Sequence, residues 1–144
     1  MLSKYYKLHG VNESGQIMTY ADGARIAIRL MPWVIASGAL SFRTTITDDL
    51  GFTTSTIADD GLKSGSSHDN STNLDFGIKG FIEVTHNLAT ADGVFRLYLE
   101  ESDDDTNWPS AGDSFDVSKH CRQIAVLSIV NDAVNESSGV NFEF

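Results

Sequence analysis

Arg25-Ile26-Ala27-Ile28-Arg29-Leu30 is the stretch whose reading decides the fold. Ile26, Ile28 and Leu30 take every second position, and Arg25, Ala27 and Arg29 take the others. A period of two belongs to a strand with one face on a core and the other in water. The pattern recurs outward along the chain. Leu40, Phe42, Thr44 and Ile46 alternate with Ser41, Arg43, Thr45 and Thr47, and Ile78, Ile82 and Val84 oppose Lys79, Glu83 and Thr85. Phe95, Leu97 and Leu99 oppose Arg96, Tyr98 and Glu100, and Val140, Phe142 and Phe144 alternate with Asn141 and Glu143. Each apolar set is expected on the core. Weaker strands are predicted at 4–9, 16–20, 51–57 and 74–77.

Ile124-Ala125-Val126-Leu127-Ser128-Ile129-Val130 is apolar on both faces. It predicts a central strand covered on both sides, or one buried at a subunit contact. No longer window keeps an apolar i, i+3, i+4, i+7 stripe, so helix is limited to a short turn near Val117–Arg122. Ala21-Asp22-Gly23, Asp48-Asp49-Leu50-Gly51, Ala91-Asp92-Gly93 and Ser137-Ser138-Gly139 supply turns. About eight to ten short strands at this spacing predict an all-β fold, an antiparallel β-sandwich of Greek-key or jelly-roll type. A small closed barrel is the second choice. One domain over 1–144 is expected, with 1–15 as an N-terminal docking arm. The loops 59–73 and 101–114 are longer than hairpins require and read as partner surfaces.

With 144 residues and 41% hydrophobic content the chain has enough material for a real core. No apolar run reaches the length of a membrane helix, and the N-terminus lacks the pattern of a secretory signal. Cys121 is the only cysteine, so packing alone must hold the fold. Three Asn-x-Ser/Thr triplets, at Asn12, Asn70 and Asn135, read as polar turn residues. Residues 1–47 carry five basic residues against two acids, a net of +3, and residues 48–144 carry five against eighteen, a net of −13. The acidic part repels nucleic-acid phosphates and anionic membranes, so neither is an expected partner.

Sites for chemistry are few. Asp103, Asp104 and Asp105, in the acidic run from Glu100, are oxygen ligands of the kind calcium takes, but the EF-hand spacing is absent and a solvated turn is expected. Ser102-x-Asp104-x-Thr106-Asn107-Trp108 resembles the Asp-box hairpin of sialidase-like propellers, with its Gly missing and its Trp one residue early; that motif is a structural turn. His9, His68 and His86 show no ligand spacing, and His120 and Cys121, as neighbours in an extended chain, point apart. No metal, cofactor or catalytic residue is therefore expected, although a small hydrolase with unassigned carboxylates stays open. Tyr98 and Trp108, or Trp33, form a possible aromatic platform for glycan stacking.

Three blocks go further. Ala21-Asp22-Gly23-Ala24-Arg25-Ile26-Ala27-Ile28-Arg29, then Gly93 to Asp104 with Asn107-Trp108-Pro109-Ser110, and the closing Asn141-Phe142-Glu143-Phe144 together resemble small virion proteins of tailed bacteriophages. The resemblance implies a non-enzymatic β-sandwich repeated on the particle. Its role would be that of a capsid decoration (cement) protein bound to the major capsid protein, or of a tail or head–tail joining component. It also implies residence in the virion, assembled in the host cytoplasm. A carbohydrate-binding module or adhesin domain is the alternative of another class. For docking, the basic residues and tyrosines Lys4, Tyr5, Tyr6, Lys7, Arg25 and Arg29 are expected to meet an acidic, pocketed partner. A homo-oligomer, with a trimer favoured, is expected from strand 124–130 and the apolar edge Val140-Phe142-Phe144.

Overall fold

The computed structural model describes residues 2–112, 115–130 and 132–144, and it turns Ile26, Ile28 and Leu30 inward and Arg25, Ala27 and Arg29 outward. Met1, and residues 113–114 of the long 101–114 loop, lie outside the described residues.

Two antiparallel sheets with a curled, half-barrel shape make an all-β sandwich. The first contains β1 (Tyr5–Glu13), β7 (Gly61–Ser64), β8 (His68–Asp69), β10 (Asp92–Ser102) and β11 (Arg122–Val130). Its order is β11-β10-β1-β7, with β8 also on β1. The second contains β3 (Arg25–Ala36), β4 (Ala39–Phe42), β5 (Ile46–Asp48), β9 (Gly77–His86) and β12 (Glu136–Glu143), ordered β12-β9-β3-β4 with β5 on β3. A ribbon of β2 (Met18–Thr19) and β6 (Thr56–Ile57) closes one side. From β9 onward the path is a Greek key. β10 and β11 pair in the first sheet, β11 lies against β12, and β12 returns beside β9.

The core lies between the sheets. Leu8, Phe95, Leu97, Leu99, Leu127 and Ile129 meet Ile26, Ile28, Leu30, Ile78, Ile82 and Val84, with Leu50, Phe52 and Ile57 filling the side. Gly10 sits in the middle of β1 because the Phe95 ring and Leu50 occupy the space of a side chain. A Cβ there would stand 2.5 Å from Phe95 Cζ and from Leu50 Cδ1.

Several expectations are corrected. Residues 1–15 are not an arm: β1 is an inner strand, paired along its whole length with β10 and on its other edge with β7 and β8. Residues 124–130 are not doubly covered, since β11 is an edge strand with Ala125, Leu127 and Ile129 inward and Val126 and Val130 exposed. The C-terminal apolar set faces its own domain, with Phe142 buried and Val140 and Phe144 packed on the core. The 59–73 loop is not featureless, because β7 and β8 lie in it. In 51–57 only Thr56 and Ile57 are strand, and in 74–77 only Gly77. Asn12 and Asn70 are buried and are not turn decoration; the Asn12 amide donates to Gln16 O at 2.7 Å and to Ala58 O at 3.1 Å.

The alternating stretch 40–47 is two strands, not one. Pro32 faces the break: its carbonyl accepts from Arg43 N at 2.8 Å, and its own nitrogen has no proton to offer that side. The short helical turn is present as α1 (Val117–His120), capped by the Asp116 carboxylate accepting from Ser118 N.

Candidate functional site

On β3, the pairing with β9 ends at Trp33, but pairing with β4 continues from Trp33 to Ala36. Residues 34–41 are therefore a two-stranded ribbon projecting past the sheet. Ser37 (φ 52) and Gly38 (φ 79) both take left-handed backbone, which a tight two-residue hairpin turn with matching twist requires. Gly38 supplies one such position without steric cost.

The exposed face of this ribbon is apolar. Ile35 and Leu40 pair across it and are 54% and 55% exposed, and Phe42, opposite Trp33, is 44% exposed. Leu40 and Phe42 were expected in the core. The alternation identifies correctly that they share a face, but it is the outward one. The row continues through Met31 and the Trp33 ring, against which exposed Phe76 stacks at 6.2 Å. Trp33 Nε1 is buried at the foot of the row with no acceptor among the described residues. Cations edge the patch. Arg29 follows Met31 on the same face, and Lys79 Nζ lies 5.6 Å from the Phe42 ring centre.

The six expected docking residues do not converge. Arg25 and Arg29 are exposed on the outer face of the second sheet, in line with the apolar row. Arg25 is already occupied, donating to Tyr20 O at 2.7 Å and lying 3.9 Å over the Tyr20 ring. Tyr5, Tyr6 and Lys7 belong to the other sheet, and Lys4 directly precedes them. Tyr6 is a core residue, stacked on His68 at 4.9 Å, so it cannot enter a partner's pocket. Lys7 Nζ rests 3.7 Å from the Trp108 ring centre. That contact covers one face of the indole, and Tyr98 is buried, so the two do not make an open stacking platform.

The three aspartates form a turn. Asp104 accepts from Asn107 N at 2.8 Å, Thr106 N at 2.9 Å and the Ser102 hydroxyl at 3.2 Å, and these bonds hold its carboxyl down to about 2. Asp105, in left-handed backbone, accepts from the Ser67 hydroxyl. The Asp104 carboxylate is used within the turn, as an Asp-box-like turn would use it.

A different cluster lies on the outer face of the first sheet, where Trp108, Ser110 and Phe115 pack over β1 and β10. His9 and Glu100 are both buried there, and His9 Nε2 is 2.8 Å from Glu100 Oε2. The His9 Nδ1 meets Ser64 Oγ at 2.8 Å. Glu100 also accepts from Ser110 N at 2.5 Å and Ser110 Oγ at 2.9 Å, and the Phe115 ring packs 5.7 Å from His9. Half-buried Cys121 completes the group, and ligand atoms of His9, Glu100 and Cys121 all lie within 4.8 Å of one another. Burial, then the Glu100 charge, push the thiol up to about 12. Sequence reasoning missed this group: His9 and Glu100 are 91 residues apart, and Glu100 reads locally as part of an acidic turn.

A groove of about 480 Å³ opens beside β3, lined by Arg29, Asp48, Asp49, Ser66 and His68 among others. His68 Nε2 donates to Asp48 Oδ2 at 2.7 Å, which ties β8 to β5. No helix of the described residues is long and apolar enough to cross a membrane.

No family model matches the chain, and no curated protein matches it. Two solved structures are similar in outline. One is the crystal structure of a domain of unknown function, DUF4425, from Bacteroides vulgatus ATCC 8482, at a TM-score of 0.40 and 8% identity, covering 100% of this chain and 97% of that one. The other is a DUF4425 family protein from Bacteroides ovatus ATCC 8483, at a TM-score of 0.32 and 7% identity, covering 99% and 94%.

Proposed function

We propose that this chain is a non-catalytic assembly protein of a tailed-phage particle, a decoration protein that docks on the major capsid protein through the projecting β3–β4 hairpin. The observation that carries the docking reading is the hairpin itself. A two-stranded ribbon without a third strand or a covered face is marginal in water. Here it displays Ile35, Leu40 and Phe42, which are contiguous with Met31, Trp33 and Phe76. Contiguous exposed apolar surface of this kind marks a contact site. Burying the three hairpin side chains supplies roughly 1.5–3 kcal/mol each at full burial, before the cost of association. Arg29 and Lys79 at the rim suit an acidic neighbour and act mainly on association rate. The virion assignment rests on the sequence resemblance, and the β-sandwich is compatible with it. A tail or head–tail position uses the same surface on a different neighbour. The glycan-binding reading loses its platform with Tyr98 buried and Trp108 covered by Lys7.

The test is re-attachment. Particles stripped of the protein are re-incubated with wild type and with an Ile35→Asp/Leu40→Asp variant, and occupancy is measured. Both side chains are solvent-exposed, so far-UV circular dichroism should be unchanged while occupancy falls at least tenfold. Wild-type occupancy by the variant would move the docking surface elsewhere. Absence of the chain from purified particles by mass spectrometry would end the virion reading while leaving the hairpin open as a contact site.

A further inference from the structure

We propose that His9, Glu100 and Cys121 form a binding site for a divalent transition-metal ion of the zinc class. The argument starts from burial in the wrong place. His9 and Glu100 sit at outward-facing positions of β1 and β10, since Leu8 and Leu99 point inward. Such positions normally meet water. Instead, Trp108, Ser110 and Phe115 pack over this face, and an imidazole, a carboxylate and a thiol from three separate segments meet beneath them.

The ligand set is selective. One nitrogen, one oxygen and one sulfur suit zinc(II) or cobalt(II) and not calcium or magnesium, which take oxygen donors. Ligand atoms around a tetrahedral ion stand roughly 3.3–3.8 Å apart, given bond lengths of ~2.0–2.3 Å. The His9 Nε2 to Glu100 Oε2 separation of 2.8 Å and the 4.8 Å limit on the whole group bracket that range. Side-chain adjustments of about 1 Å therefore suffice, with the ion taking the place of the direct His9–Glu100 contact.

The surroundings supply what metal ligands need from their neighbours. Ser64 Oγ holds His9 Nδ1, and because a hydroxyl both donates and accepts, it serves either imidazole tautomer. Ser110 fixes Glu100 through both its backbone N–H and its hydroxyl. Three protein ligands leave a fourth position for water or the Ser110 hydroxyl. Cys121 is half-buried, which gives the ion a way in from solvent.

The experiment uses the full, tag-free chain after treatment with a chelator, titrated with cobalt(II) as the optical probe and then with zinc(II) as competitor. The expected result is one ion per chain, with thiolate-to-cobalt charge transfer in the near ultraviolet that zinc removes, and half-saturation at or below about 10 μM. Cys121→Ser, at a half-exposed position away from the core, should keep the circular dichroism of wild type and lose the charge-transfer band. His9→Gln should weaken binding at least tenfold. If His9→Gln fails to fold, Cys121→Ser and the zinc competition still decide the matter. Absence of one-to-one binding by the folded wild type, or an undiminished band in Cys121→Ser, would overturn the site.

Discussion

Replacing Leu8 with alanine tests whether the N-terminal segment is a built-in strand or a detachable arm. Leu8 is fully buried, stands opposite Leu99 across the β1–β10 ladder, and belongs to the central cluster. Truncation at such a position removes the transfer energy of the lost carbons and leaves a cavity, at a cost of about 2–5 kcal/mol. A value of about 3 kcal/mol, at roughly 3 °C per kcal/mol for a domain of this size, lowers Tm by about 10 °C. The assay is urea and thermal unfolding followed by far-UV circular dichroism. Lys4→Ala serves as control, because Lys4 is exposed and its loss should stay within about 0.5 kcal/mol. Deleting residues 1–8 removes Leu2, Tyr6 and Leu8 together and should leave an unfolded chain. A Leu8→Ala protein as stable as Lys4→Ala, or a folded truncation, would refute the placement of β1 inside the sheet.

Two further outcomes follow from titrating groups. The Asp104 carboxyl, held down to about 2 by Asn107 and Thr106, favours the folded state fully above its ordinary value of 3.8 and loses that effect as pH falls towards 2. Carbon-detected NMR should place its midpoint near 2 in the wild type, whereas a midpoint near the ordinary value would mean the turn is not formed. The Cys121 thiol, pushed up to about 12, carries about a thousandfold less thiolate at pH 8 than an ordinary cysteine. Reaction of the chelator-treated protein with a disulfide reagent should therefore be slow until urea is added; rapid labelling of the folded chain would contradict the enclosure of that face.

The parts of the fold legible in sequence are those where the information is local. Alternation at 25–31, 78–85 and 94–100 marks real strands and assigns their core faces correctly. Alternation says only which residues share a face, and tertiary context decides what that face meets. Leu40 and Phe42 share the water-facing side of the hairpin, while Tyr98 and Glu100 share an outer face that a later segment covers. β1 reaches beyond the expected 4–9, to Glu13, and His9, Gly10 and Asn12 break its apolar pattern. Each of the three has a non-local reason to be there: the Glu100 carboxylate, the Phe95 ring and the Ala58 carbonyl. In 124–130 the outward Val126 and Val130 suit a strand without being buried, since β-branched side chains favour that backbone even at an edge. The His9–Glu100–Cys121 group is illegible for a similar reason, because His9 and Glu100 meet only through the β1–β10 ladder and Cys121 joins them from the segment after α1.

That ladder sets a timetable for the nascent chain. β1 leaves the ribosome well before its main partner β10, and the His9–Glu100 contact waits on 91 further residues. At a synthesis rate of ~5–20 residues per second, β1 spends roughly 5–20 s with no partner on that edge. β9 can join β3 before then, so the second sheet is free to assemble first and the first sheet must close around a strand made long before it. A chain halted before Asp92 would hold β1 beside β7 and β8 alone, with Leu8 uncovered on the side that Leu99 takes. Such interrupted chains leave that edge of β1 open to a holding chaperone, and closure of the first sheet waits on β10.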